Sequence, residues 1–154
     1  MNWKALGLVL ALLAVVGCKQ TTTDTGATGG TGAAAATSLR DQFEQQVGSR
    51  IYFAFDRSDI TPESRATLTK QADFLKQHPE VTVTVEGHCD ERGTREYNLG
   101  LGERRANAAK QVLIALGVAA NRVNTISYGK ERPAVLGHTE QAWAQNRRDV
   151  TVIN

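Results

Sequence analysis

The chain has 154 residues, with 18 Lys plus Arg against 16 Asp plus Glu, and only 6% aromatics. That length suits one domain with appendages. A net charge of +2 leaves no basic footprint and few rings for base stacking, which excludes a nucleic-acid binder.

The first elements in chain order are not a fold. Lys4 is followed by an apolar run from Ala5 to Val16, 12 residues long. Such a run is too short for a membrane-spanning helix and matches a signal-peptide core. It ends in Val15-Val16-Gly17-Cys18, small residues and then cysteine, which resembles a bacterial lipobox. The resemblance implies that residues 1–17 are a cleaved lipoprotein signal and that Cys18 carries lipid. Two or more acyl chains anchor a protein stably where one is marginal. Lys19 stands where inner-membrane lipoproteins usually carry aspartate, so the implied location is the outer membrane, facing the periplasm. Cys89 is then left without a disulfide partner in its own chain.

Residues 18–37 form a lipidated start and a Thr/Gly/Ala-rich tether with almost no bulky apolar side chain. Such a segment buries too little surface to offset its ordering entropy. Its 19 residues after Cys18 reach at most about 65 Å extended and average roughly 25 Å as a coil.

Residues 38–154 read as one domain. Ile51 to Phe55 alternates as a strand with Ile51, Phe53 and Phe55 on one face. Thr61-Pro62-Glu63 starts a helix with an N-cap, a first-turn proline and an acid. Leu68, Ala72 and Leu75 form its apolar stripe, and His78-Pro79 ends it. Val81, Val83 and Val85 mark a half-buried strand. A long helix runs from about Glu96 to Leu116 and closes at Gly117. Val123–Tyr128 is a strand, Thr139–Gln145 a short helix, and Val150–Ile153 a last strand. The order βαβαβαβ predicts an α/β domain of α+β sandwich type, with a mixed four-stranded sheet and helices packed on one side.

The chemistry-bearing stretch is Gly87 to Asn98, which holds His88, Cys89, Asp90 and Glu91 in a row. A Cys/His nucleophile pair needs the two side chains in contact. Adjacent strand residues point to opposite faces, so alternation turns His88 outward and Cys89 inward. No second cysteine in the domain, and no ligand-type spacing to His78 or His138, supports a zinc site. Asp90 and Glu91 are loop neighbours and do not flank a sugar cleft. The sequence therefore predicts no metal, no cofactor and no catalytic residue.

At 100° per residue, Asn98, Leu101, Arg105, Ala109, Val112 and Leu116 share one helical stripe. Its later residues are apolar, so Arg105 is aimed inward. A buried guanidinium needs a carboxylate or an equivalent partner. Asp90 is the candidate. Two arrangements remain open: a structural Asp90–Arg105 ion pair, or two separate charges that share a ligand.

Gly87-His88-x-Asp90, Gly93, Asn98 and Arg105-Ala106 together resemble the OmpA-like domain family. The stretches YFAFD, SYGKERPAVLGH and NRR extend the likeness over the whole chain beyond the tether. The family binds peptidoglycan non-covalently through the meso-diaminopimelate of the stem peptide. The resemblance implies that Asp90 takes the ligand's ammonium and the Arg105 fork its carboxylate. It also implies that Phe55, Asp56, Arg92, Asn98 and Leu101 line the pocket, Asp56 largely through backbone groups. His88, Arg147 and Arg148 would support the site or the fold. Cys89 departs from the small residue often found there, and pointing inward it would not touch the ligand. Tol envelope proteins are implied as partners. The whole is then a non-enzymatic tether between outer membrane and cell wall. The rival is a periplasmic enzyme that cuts peptidoglycan with Asp90, Glu91 or Cys89.

Overall fold

The computed structural model describes residues 39–154. Cys18, the signal segment and the tether lie outside the described residues.

The described chain begins with a helical segment that includes a π-helical turn at Phe43–Val47. It continues through β1 (Arg50–Tyr52), α1 (Pro62–Gln77), β2 (Val83–His88), α2 (Arg95–Ala115), β3 (Val123–Gly129), α3 (Glu140–Asn146) and β4 (Arg148–Ile153). The sheet order is β1-β4-β2-β3. β4 runs antiparallel to both β1 and β2, while β2 and β3 are parallel and joined through α2. That mixed pattern follows from the connections, because a parallel pair requires a long crossover and here α2 supplies it.

Local sequence explains the helix starts. Thr61, Thr94 and Thr139 each precede a helix, and each hydroxyl accepts a backbone N–H from Ser64, Tyr97 and Ala142 respectively. Each satisfies an N–H that would otherwise have no partner in the first turn. α2 thus begins at Arg95, one residue before its predicted start. One core joins both long helices to one sheet face: Leu68, Ala72 and Leu75 from α1, Ala106, Ala109 and Leu113 from α2, and Val83, Val85, Val123 and Ile153 from the strands.

Two side chains differ in exposure from the sequence expectation. β1 stops at Tyr52, and the chain turns at Phe55 and Asp56, where Asp56 takes φ 56°. Ile51 and Phe53 are buried as predicted, but Phe55 is 56% exposed because the alternation ends before it. His88 is on the face opposite Val85 yet is buried, not solvent-facing. The β2/β3 register shifts between Gly87 and His88, and Tyr128 covers the imidazole with ring centroids 5.5 Å apart.

Gly87 of β2 and Gly102 of α2 let the two backbones touch. A Cβ on Gly87 would overlap the Gly102 carbonyl, and one on Gly102 would overlap the Ser127 hydroxyl. This contact brings α2 down onto the end of β2 and sets the height of Arg105, one turn further on. Gly102→Ala is expected to destabilise the domain by about 1–3 kcal/mol through overpacking. Urea denaturation followed by circular dichroism checks this. An unchanged midpoint would show that the helix has room to shift.

Candidate functional site

The site is a cavity of about 160 Å³ where the β1–α1 loop, the β2–α2 loop, the first turns of α2 and the entry to β4 converge. That volume accommodates an amino-acid side chain and falls well short of the roughly 300–1,000 Å³ of a drug-sized site. All seven residues expected from the sequence line it: Phe55, Asp56, Asp90, Arg92, Asn98, Leu101 and Arg105. Gly93, Tyr97, Cys89 and Arg147 line it as well.

Arg105 is fully buried, as the helical stripe requires. Its partners are not those expected. Nε donates to the Arg57 carbonyl at 2.8 Å, Nη1 to the His88 carbonyl at 2.9 Å, and Nη2 to the Ala54 carbonyl at 3.1 Å. Nη1 also points to the Cys89 sulfur at 3.5 Å, and the guanidinium lies over the Phe53 ring at 4.9 Å. Neither a structural Asp90–Arg105 ion pair nor a free two-pronged fork is present. Three carbonyls, freed where β1 and β2 end, serve as the equivalent partner. Of the five N–H donors of arginine, one on Nη2 remains without a protein acceptor, and one meets only a weak thiol.

Asp90 is 4% exposed and sits on the pocket floor. Its carboxylate is filled from within. Oδ1 accepts from the Arg92 backbone N–H and Nε, both at 3.1 Å. Oδ2 accepts from Arg92 Nη2 at 2.6 Å and from Arg147 Nη1 at 3.3 Å. Burial pushes its carboxyl up, but the two arginines outweigh burial and hold it below the ordinary value.

The walls are tied to one another. The Tyr97 hydroxyl donates to the Asp56 carboxylate and joins α2 to the β1–α1 loop. Asn98 Nδ2 donates to the Arg92 and Thr94 carbonyls at 2.8 and 3.0 Å, so this amide braces the loop that carries Asp90. Glu91 points away from the pocket. His138 Nδ1 and Trp143 Nε1 hold its carboxylate, at 2.7 and 2.8 Å, and fix the segment before α3 against the site.

Cys89 is buried as predicted, yet it borders the pocket, because Arg105 and Asn98 wrap its thiol. Burial pushes that thiol up to about 11, away from nucleophilic character. Arg147, assigned a supporting part from its NRR motif, also lines the pocket. It bonds the Phe53 carbonyl, Asp90 and Glu140. Arg148 and His88 remain outside the pocket lining; Arg148 donates to the Asn146 and Arg132 carbonyls. Tyr97 was missed by the sequence reading, since its helical angle lies off the core stripe and only the facing loop gives it a partner.

Known proteins match this chain closely. A model of the OmpA family matches residues 52–147. A peptidoglycan-associated lipoprotein of Brucella melitensis is 48% identical over 153 residues, covering 97% of this chain and 90% of that protein. One from Pseudomonas aeruginosa is 41% identical over 157 residues, with 94% and 93% covered. The crystal structure of the peptidoglycan-associated lipoprotein from Burkholderia pseudomallei superposes with a TM-score of 0.67 at 43% identity, over 69% of this chain and 90% of that one. The C-terminal domain of Helicobacter pylori MotB shares the fold, with a TM-score of 0.64 at 21% identity, over 68% and 83% of the two chains. With the family model spanning most of the domain and relatives this similar along nearly their whole length, the chain belongs to the OmpA family.

Proposed function

We propose that this protein is an outer-membrane lipoprotein that holds peptidoglycan without cutting it. Lipid on Cys18 anchors one end, residues 18–37 act as the tether, and the domain grips meso-diaminopimelate of the wall stem peptide. The observation that carries the reading is a side-chain-sized pocket with a carboxylate, Asp90, on its floor and a buried guanidinium, Arg105, in its wall. A zwitterionic carbon bearing both an ammonium and a carboxylate complements that pair. Asp90 takes the ammonium. Arg105 offers its remaining Nη2 donor to the carboxylate, with backbone N–H groups near Asp56 beside it. Leu101 and the Phe55 ring enclose the aliphatic stem. The names of the relatives point the same way.

An enzyme reading finds no support at the residues it would use. Cys89 is held protonated, Asp90 is committed to two arginines, and Glu91 is bound to His138 and Trp143. By family resemblance the partners are the Tol envelope proteins, in a system that keeps the envelope intact and draws in the outer membrane at division. Many weak grips between a membrane and a polymer act together, so each can remain reversible.

Wall peptide with lysine in place of meso-diaminopimelate lacks the carboxylate. The remaining Nη2 donor of Arg105 then finds no acceptor, and one charge-assisted hydrogen bond is lost, at a cost of about 1.5–3 kcal/mol. Calorimetric titration with the two soluble tetrapeptides is expected to show at least about tenfold weaker binding of the lysine form. Equal affinities would remove the charge-matching mechanism. Soluble fragments released from sacculi would favour the enzyme.

A further inference from the structure

We propose that Arg92 is a built-in rival for the ligand's ammonium: its guanidinium fills Asp90 in the free protein and has to leave before a ligand cation binds there. This rests on the wall-peptide reading of the same pocket and adds a specificity device to it.

A carboxylate offers about four acceptor directions. All four on Asp90 are taken, two of them by the Arg92 side chain through Nε and Nη2. An arriving ammonium therefore finds no vacant lone pair. One of the two arginines must yield, and their surroundings decide which. The Arg147 side chain is 8% exposed and pinned by the Phe53 carbonyl and by Glu140 at 2.7 Å. The Arg92 side chain is 30% exposed. Its guanidinium sits in a sleeve between the Phe55 ring, 3.9 Å away, and the Trp143 ring, 4.1 Å away. A second carboxylate is also at hand, because Glu140 Oε2 lies 3.9 Å from Arg92 Nη1 and is largely exposed. Arg92 can swing from Asp90 toward Glu140 while keeping an ion pair and aromatic contact.

The consequence is selectivity. A simple amine competes against a tethered guanidinium held at high effective concentration and is kept out. A ligand that brings a carboxylate to Arg105 together with its ammonium has the additional binding energy to displace Arg92. Apparent affinity is reduced by the fraction of molecules in which Asp90 is free, and removing the rival lifts that reduction.

The test is titration of the folded domain with a soluble tetrapeptide carrying meso-diaminopimelate, and with the same peptide acetylated on the side-chain amine. Arg92→Gln is expected to bind the free-amine peptide at least about threefold more tightly than wild type, with no such gain for the acetylated peptide. Weaker or equal binding by Arg92→Gln would overturn the proposal and make Arg92 a ligand contact or a bystander. A gain that persists with the acetylated peptide would overturn it too. Arg92→Lys keeps a charge but loses the two-pronged hold of Nε and Nη2 on Asp90. It is expected to shift affinity in the same direction by a smaller factor, and it decides the matter if Arg92→Gln fails to fold. Failure of the wall-peptide reading is separately visible, because wild type itself would then not prefer this peptide over its lysine counterpart.

Discussion

Arg105→Ala is expected to destabilise the domain by about 3–5 kcal/mol, before any ligand is considered. The side chain is fully buried and joins three carbonyls from separate segments, at Ala54, Arg57 and His88. Its removal leaves all three without that donor and opens a cavity beneath the β1–α1 loop. Each orphaned buried group costs about 1–3 kcal/mol, partly relieved where water enters. Arg105→Lys keeps the charge, but a single ammonium cannot reach three carbonyls that surround a planar fork. It is expected to remain less stable than wild type by more than about 1 kcal/mol. Chemical denaturation of the three proteins checks this. If Arg105→Ala unfolds at the wild-type midpoint, the carbonyl network is not what holds the loop. Loss of sacculus binding by Arg105→Ala therefore speaks to ligand recognition only at temperatures where the variant is shown to be folded.

The second large effect is on pH dependence, where two buried groups pull in opposite directions. Neither ring nitrogen of His88 finds a hydrogen-bond partner, and its nearest carboxylate oxygen, on Glu86, is 3.7 Å away. Burial, aided by the nearby Arg148 and Arg132 charges, lowers its pKa from 6.5 to about 4. The unfolded chain thus takes up a proton in that window and the folded one does not. Stability from this group is fully present above pH 6.5 and is lost as pH falls through 4, by roughly 3 kcal/mol in all. Asp149 is the reverse. Burial pushes it well above the ordinary carboxyl value, and the attraction of Arg105 and Arg148 only partly offsets this, since no N–H reaches either oxygen. Its contribution is present at low pH and is lost as pH rises from about 4 through the raised value.

Above pH 4, where the rising Asp149 titration overlaps the His88 window, the two slopes oppose each other. Wild type is expected to show a flatter stability profile there than either single variant. In Asp149→Asn the domain should weaken steeply toward acid. In His88→Phe, which keeps the ring against Tyr128 and removes no hydrogen bond, it should weaken only toward higher pH. Urea midpoints measured from pH 4 to 8 give both curves. A His88→Phe profile superimposable on wild type would show that the imidazole does not titrate out of its buried site.

Asp149 also shows where pattern reading lost information. A last strand taken from Val150 leaves the preceding residue in a loop, with no face assigned. The strand in fact begins at Arg148, and pairing with Gly87 and Ile51 turns Asp149 toward the helices with Thr151 and Ile153. His88 failed for a related reason. Alternation gave the right face, but what covers that face is Tyr128, from a strand 40 residues later. Phe55 failed because a strand's end depends on its neighbour: β1 pairs with only three residues of β4.

The sequence by itself determined the helix starts, the apolar faces and the inward aim of Arg105. These follow from local capping chemistry and from the fixed periods of helix and strand, which act within one element at a time. That Phe55, Asp56, Arg92, Asn98 and Leu101 meet Asp90 and Arg105 at one pocket was legible only through the resemblance to the OmpA-like family. Only the tertiary structure decided which groups bond to which. Arg105 passes Asp90 by for three carbonyls, because the ends of β1 and β2 deliver those oxygens to its donors. Asp90 turns to Arg92 and Arg147. A period states the direction a side chain points. The distance between charges on separate elements is set by how closely α2 and β2 approach, and here Gly87 and Gly102 set it.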